Sequence, residues 1–429
     1  MILNSVKLPH FARAAESITE VFDSPKTVVI AMSQHAGAPC EPLVKIGDFV
    51  KCGQLIGDSE AFVSAPIHAS VTGKVVAEKE ITFLNGRTSK ALVIETEGEQ
   101  SVFEDISPPV ISSREDFIKA IRNSGLVGLG GAGFPTHVKL NYDRTKTTID
   151  TLVVNGAECE PYITSDYREF IESSDEIING IKLVMKYLEI PKAVIGIEKD
   201  KPKAIAAMRE KLENEVNISV RALKTRYPQG AEKVLVYQVT GRVITEGELP
   251  MSAGCLVINS SSVSFISNYI KTGMPLFWRR LTLDGDIVDS PKNIVVPVGT
   301  TLREILNFAS VKDIPEKVIF GGPMMGNAVY DLDMPITKTN NAVLVFGKQK
   351  EIKSTACIRC GKCTYVCSMN LTPTALEHAY DARDAEELKK LRVNTCMSCG
   401  ACSFICPAKR NIAEKNLLAK QFLLTADKK

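Results

Sequence analysis

Cys357-Ile-Arg-Cys360-Gly-Lys-Cys363-Thr-Tyr-Val-Cys367 is followed, after a spacer, by Cys396-Met-Ser-Cys399-Gly-Ala-Cys402-Ser-Phe-Ile-Cys406-Pro407. Each half is a C-x₂-C-x₂-C-x₃-C run, the spacing of bacterial ferredoxins. Three cysteines at steps of three wrap one face of a cubane cluster, and the fourth reaches the other cluster. The expected ligand sets are therefore crossed. Cys357, Cys360, Cys363 and Cys406 hold one [4Fe–4S] cluster, and Cys396, Cys399, Cys402 and Cys367 hold the second. Structural zinc sites pair two short steps across a longer gap, and a triple step repeated with the same tail does not fit that spacing. Ser368 follows Cys367 where a proline is usual, whereas Pro407 follows Cys406. Two one-electron centres in a row form a wire, and the rest of the chain must supply what feeds it.

The 429 residues are enough for several domains. Charged residues make up 24% and the net charge is +2, so nothing in the charge balance points to nucleic acid. The start lacks the apolar stretch of a signal peptide. The longest uncharged run, Leu249 to Ile270, is rich in serine and reads as buried strand and loop rather than a membrane span. Eight of twelve cysteines are assigned to clusters. The others, Cys40, Cys52, Cys159 and Cys255, are scattered and read as free thiols. The expected location is the cytoplasm or its membrane face.

Toward the N-terminus, Thr27-Val-Val-Ile-Ala-Met reads as a strand, and short apolar runs punctuated by Gly47, Gly53, Pro66 and Gly73 follow. This predicts a small β-sandwich or barrel. The pattern resembles the lipoyl and biotinyl carrier fold. The segment Asp58 to Ser64, where a carrier presents its modified lysine, contains none, so the unit is expected to be structural or to dock. A helix is predicted from Ser113, with Asp116 completing a capping box and Gly125 ending it.

Gly125-Leu-Val-Gly128-Leu-Gly130-Gly131-Ala-Gly133-Phe134-Pro135-Thr136-His137-Val-Lys139 contains a literal G-x-G-x-x-G. It follows a helix rather than a strand, so it does not have the usual dinucleotide-fold context. Its glycines still let backbone N–H groups approach a phosphate or a flat ring, with Lys139 as an available cation. A purely structural glycine loop is the competing reading.

Next, Thr151-Leu-Val-Val154 reads as a buried strand ending at Asn155-Gly-Ala-Glu158-Cys-Glu160-Pro161. Alternating strands and helices follow: Ile177 to Leu188 as helix, Ala193 to Ile197 as strand, a helix opened by Pro202, and Ile218 to Leu223 as strand. This predicts a mainly parallel sheet with ligands at the carboxyl ends of its strands, where Asn155, Glu158 and Glu160 fall. On residue pattern alone, two such carboxylates can equally be solvated. Residues 246 to 345 read as β-rich. Thr301 and Glu304 form a capping box there, and Gly321 to Gly326 forms a glycine turn that suits either close backbone approach or a tight bend.

Taken in order, several pieces resemble RnfC, the C component of the Rnf electron-transport complex. They are Gln34-His35-Ala-Gly37-Ala-Pro39, Ser64-Ala-Pro66-Ile-His68, Gly125 to Lys139, Asn155 to Pro161, Tyr227-Pro-Gln-Gly230, Gly321 to Gly326 and the paired cysteine motifs. The glycine loop and the Asn155 segment are also similar to the flavin- and NADH-binding subunit of respiratory complex I. They depart from it at Ala157, where that family is acidic, and at Ser260, where it has asparagine. The resemblance implies FMN on Gly128, Gly130, Gly131, Gly133, Lys139, Asn155 and Asn259, with Phe134 stacking on a ring and Glu158 and Glu160 beside the nicotinamide as catalytic residues.

The resemblance also implies a multidomain α/β and α+β architecture. Residues 1–98 would be an N-terminal segment with a lipoyl-like barrel-sandwich, and 99–245 an α/β FMN- and NADH-binding unit. Residues 246–345 would be a β-grasp-like ligand-binding unit, and 346–429 a helical 2[4Fe–4S] ferredoxin-like unit. The implied function is hydride exchange between NAD(H) and FMN, joined by the clusters to single-electron transfer, in a peripheral subunit on the cytoplasmic side of the membrane. Its partners would be the other subunits of a complex coupling ferredoxin oxidation and NAD⁺ reduction to Na⁺ or H⁺ transport, with ferredoxin reached through one of them. A soluble flavin/iron–sulfur reductase and an electron-relay adaptor are the alternatives.

Overall fold

The computed structural model describes residues 4–22 and 25–426. Two small sheets close on each other near the N-terminus. One contains Thr27–Ala31, Thr88–Thr96, Gly73–Thr82 and Phe49–Val50 as neighbours in that order, and the other Glu41–Pro42, Leu55–Asp58 and Ile67–His68. Alternate side chains point inward, and Val28, Ile30, Ile56, Ile67, Val75, Leu92 and Ile94 form the apolar filling. The lysine-free segment docks as expected. Asp58 accepts 3.2 and 2.9 Å hydrogen bonds from the two terminal nitrogens of Arg122, and Ser59 O accepts another at 2.9 Å.

Arg122 lies on the helix Arg114–Asn123, which begins with the expected reciprocal cap between Ser113 and Asp116. Behind it stands a four-stranded parallel sheet with the order Ile218–Leu223, Lys192–Glu198, Thr151–Gly156, Cys255–Asn259. The strand first in sequence is internal: two later strands add on one side and the fourth on the other. That is the order of a doubly wound sheet, and its crevice opens where the winding reverses. The reversal falls between Thr151–Gly156 and Cys255–Asn259, whose ends place Asn155 opposite Asn259. The helices Ser174–Leu188 and Ser260–Thr272 pack together against the sheet. A β-carbon at Gly180 would stand 1.8 Å from Val263 O, so only glycine allows their close approach.

The serine-rich run departs from expectation. After the strand Cys255–Asn259 it forms the helix Ser260–Thr272 rather than loop. Serine is a middling helix former, but Asn259 accepts from the N–H groups of Ser261 and Ser262 and starts the helix. Ser261 and Ser264 hydroxyls then bond Asp166 and Glu169. The expected boundary at 245/246 also moves. Strand Cys255–Asn259 pairs with Thr151–Gly156, so these residues and the helix after them belong with the parallel sheet.

A mixed six-stranded sheet follows, with Lys292–Pro297, Trp278–Asp284, Ala342–Phe346, Lys317–Phe320 and Asn327–Val329 adjacent in that order. Its outer position beside Lys292–Pro297 is taken by Glu20–Val21. The N-terminal segment thus lends a short edge strand to this β-grasp-like sheet. Thr301 caps the helix Leu302–Ala309. Only half of the expected box forms, because the Glu304 carboxylate accepts from Lys26 N at 2.6 Å instead.

The C-terminal unit consists of short helices. Each cysteine run enters a five-residue helix, Lys362–Val366 or Ala401–Ile405, through a left-handed glycine, Gly361 (φ +73°) or Gly400 (φ +79°). Pro373–Asp381, Ala385–Lys390 and Ile412–Ala426 surround a small core of Leu371, Leu376, Leu388, Val393, Ala419 and Leu423. Among the described residues, no helix is long and apolar enough to cross a membrane.

Candidate functional site

All four units border one cleft of about 790 Å³ at the winding reversal of the parallel sheet. Its floor is the glycine loop beside Asn155 and Asn259. A β-carbon on Gly130 would lie 3.2 Å from the Asn259 amide nitrogen, so the loop sits tightly over that side chain. Gly133 has φ +62°, and its β-carbon would approach Thr339 to 2.6 Å. Gly131 has φ +97° and faces open space, which is the room a flat ring or phosphate needs. Asn155 donates to Gly230 O at 2.9 Å, and Asn259 donates to Asp166 at 2.8 Å.

Not every expected residue reaches this floor. Gly128 lies outside the cleft lining. Its N–H donates to Phe134 O at 2.9 Å and its carbonyl accepts from Gly133 N, which closes the loop on itself. Phe134 also lies outside the lining and is 38% exposed. The Lys139 ammonium pairs with Glu232 at 2.6 Å, and it is Glu232 that borders the cleft.

The two candidate carboxylates have different surroundings. Glu158 accepts from Asp166 N at 2.8 Å and Tyr167 N at 3.2 Å, capping the helix Ser165–Glu172 from outside. Burial, reinforced by the Asp166 charge, raises its pKa despite those donors. Glu160 accepts from Met324 N at 2.9 Å, and burial pushes its pKa up to about 7. A β-carbon on Gly322 would stand 2.2 Å from its Oε2, so the glycine turn provides the close approach that the sequence left open. Glu160 Oε1 is also 3.4 Å from the Tyr227 hydroxyl, which donates to Cys399 O at 2.6 Å. A phenol has one proton. With that proton on Cys399 O, the Glu160–Tyr227 contact becomes a hydrogen bond when Glu160 carries its own.

Cys399 belongs to the cysteine unit and also borders the cleft. With Cys367, Cys396 and Cys402 it lines a separate apolar cavity of about 30 Å³. Burial and neighbouring thiols push Cys399 up to about 11 and Cys402 up to about 12. A metal centre takes such thiols as thiolates and releases their protons, and four cysteines gathered round one apolar cavity fit an iron–sulfur cluster. On the other side, Cys363, Cys402 and Cys406 pack with Ala408 and Ile412, and Arg410 feels the charge of both Cys357 and Cys406. Among the described residues no three His, Cys, Asp or Glu side chains converge as for a single ion, and a cubane spreads its ligands more widely than one ion does.

Residues 121–268 match the family described as the Nuo51 FMN-binding domain, residues 4–99 the RnfC barrel sandwich hybrid domain, and residues 344–411 the 4Fe-4S dicluster domain. The chain is 43% identical to the C component of the proton-translocating ferredoxin:NAD(+) oxidoreductase complex of Clostridium ljungdahlii, over 83% of this chain and 79% of that one. It belongs to the RnfC family of ion-translocating oxidoreductase complexes. The RnfC-type component of the Na(+)-translocating complex of Acetobacterium woodii is 40% identical over 81% of this chain and 80% of its own. A further member, from the ion-translocating oxidoreductase complex of Pseudomonas aeruginosa, is 38% identical over 84% of this chain and 47% of its own. An NAD+-reducing [NiFe]-hydrogenase in the H2-reduced state matches 73% of this chain with 61% of its own, with a TM-score of 0.50 at 16% identity; this is a likeness of fold. In this RnfC protein the sequence motifs missed several residues that the fold brings to the cleft, among them Asp166, Thr339 and Arg87. None of these three lies in a glycine or cysteine motif, and the family resemblance gave no signal for them.

Proposed function

We propose that this RnfC protein is the peripheral member of a membrane-bound ferredoxin:NAD⁺ oxidoreductase that joins hydride exchange with NAD(H) to single-electron transfer. The observation that carries this reading is the shared cleft, where the glycine loop, Glu160 and the cluster cysteine Cys399 meet through Tyr227. Bound FMN would supply conversion between a hydride and single electrons, and two bound [4Fe–4S] clusters would supply one-electron storage.

In this reading Gly130, Gly131 and Gly133 leave room for the flavin between Asn155 and Asn259. Glu160 holds or releases a proton near neutral pH at the cleft wall, and Glu158 is a positioning residue that fixes the helix carrying Asp166. Tyr227 ties the cleft to the Cys399 loop, making the Cys367, Cys396, Cys399 and Cys402 set the one nearer the flavin. The set of Cys357, Cys360, Cys363 and Cys406 lies beyond it, with Cys360 exposed. The protein then works from the cytoplasmic face of the membrane, bound to the other subunits of a complex that moves Na⁺ or H⁺.

An anaerobic optical titration of the FMN-loaded, iron-reconstituted chain with NADH tests this. The expected result is bleaching of the flavin bands, then loss of the broad iron–sulfur absorbance. Tight FMN binding with no reduction by NADH would sink the proposal.

A further inference from the structure

Strands Gly73–Thr82 and Thr88–Thr96 extend past the barrel they belong to. Beyond Val75 most side chains of the first strand face solvent, and the ladder continues to Thr82 opposite Thr88. The tip is internally fixed. Phe83 N–H donates to Arg87 O and Gly86 N–H to Phe83 O, both at 2.8 Å, and Arg87 N–H donates to Asn85 Oδ1 at 3.0 Å. Leu84 packs against the apolar core of the β-grasp-like unit, so the hairpin is pinned to a second body. The tip residues Phe83, Leu84, Asn85 and Arg87 line the cleft.

Charge distinguishes this tip. The cleft is bordered by the carboxyl groups of Glu158, Glu160, Asp166 and Glu232, and among the described residues Arg87 is the sole lysine or arginine on its lining. Nearby cations are already engaged. Lys139 pairs with Glu232, Lys338 donates to Pro66 O and Gly125 O, and Arg279 donates to Asn340 O and Leu129 O. No hydrogen-bond or ionic partner stands against the Arg87 guanidinium among the described residues. A dinucleotide entering an acidic cleft brings a pyrophosphate, and a guanidinium is the side chain best suited to grip it.

We infer that Arg87 binds the pyrophosphate of NAD(H), so that the barrel-sandwich unit supplies the nucleotide clamp. This rests on the reading that the cleft takes FMN and NAD(H). It goes further in assigning the exchangeable nucleotide to a different unit from the glycine loop. The flavin seat lies on the floor between Gly131 and Asn259. The substrate that comes and goes passes the rim, where the hairpin stands.

Equilibrium binding to the FMN-loaded, iron-reconstituted full chain tests it, with NADH and reduced nicotinamide riboside as probes. The riboside lacks both phosphates. For Arg87→Gln the NADH Kd should rise on the order of tenfold, with the riboside Kd, FMN content and melting temperature unchanged. Arg87→Lys, which keeps the charge but loses the fork, should fall between. An unchanged NADH Kd overturns the inference. So does an equal loss for the riboside, which would make the tip a matter of shape, or a loss of FMN, which would assign Arg87 to the flavin phosphate. If the unsubstituted chain fails to bind NADH, the reading of the cleft falls first and the inference with it.

Discussion

The parallel-sheet unit and the cysteine unit touch through Tyr227 and Cys399, yet they are stabilised by different means. The sheet buries Leu152, Val154, Ile195, Ile197, Leu256 and Ile258 between helices that bring Ile177, Ile181, Val263 and Ile266 to the same core. The cysteine unit has a much smaller apolar core, and several of its backbone turns depend on left-handed residues: Arg359, Gly361, Ser398 and Gly400 among them. Apolar burial can hold the first alone. In the second the ligands are the fold, because metal binding and folding share one free energy.

The largest expected effect follows from that contrast. Stripping iron from the reconstituted protein should unfold or loosen residues 346 onward while the sheet unit stays intact. Limited proteolysis should then cut within the cysteine unit and leave a stable N-terminal fragment. Uniform resistance with and without iron would break the comparison.

Leu256→Ala probes the other side. Leu256 is fully buried in the sheet core, and a cavity there should cost about 2–5 kcal/mol. Urea unfolding should show the loss, with the iron content of the folded fraction unchanged.

Glu160 lies at the junction and sharpens the comparison through pH. Its folded pKa is raised from 4.5 to about 7 by burial. The folded state therefore keeps a proton that the unfolded chain releases, and stability should fall as pH rises across this window before levelling off above it. The Glu160 share of the loss should be on the order of 3 kcal/mol, and Glu160→Gln should remove that share while the shares of the raised carboxyls of Glu158 and Glu198 remain. Anaerobic urea unfolding of the iron-reconstituted chain between pH 4.5 and 7.5 measures the difference.

The smallest effect separates two glycines of one motif. Gly133→Ala forces a β-carbon onto Thr339 at a left-handed backbone, whereas Gly128 has no contact under 3.7 Å and no positive φ. Gly133→Ala should cost about 1–3 kcal/mol and weaken FMN binding. Gly128→Ala should stay within about 1 kcal/mol of the parent, by thermal unfolding and by flavin titration.

The G-x-G-x-x-G string thus marked a loop that borders the cleft without saying which of its glycines line it. The sequence pattern showed the strands Thr151–Gly156 and Lys192–Glu198 because buried parallel strands are apolar runs, and the edge strand Ile218–Leu223 through its alternation, with Ser219 and Arg221 exposed. It hid the helix Ser260–Thr272, whose polar side chains are supported from outside by Asp166 and Glu169. Glu158 and Glu160 looked alike as a pair. The fold gave one to a helix end and the other to Tyr227 and the glycine turn.

By itself the sequence determined the paired cysteine runs of the dicluster unit, the family and the alternation that builds the parallel sheet. These are local properties, set by spacings of a few residues along one backbone. Only the tertiary structure decided that Asn155 and Asn259 face each other, that Tyr227 reaches Cys399, and that Arg87 lines the same cleft as the glycine loop. Those neighbours come from segments far apart in the chain. Their meeting depends on the winding of the sheet and on how the four units pack, which no local spacing encodes.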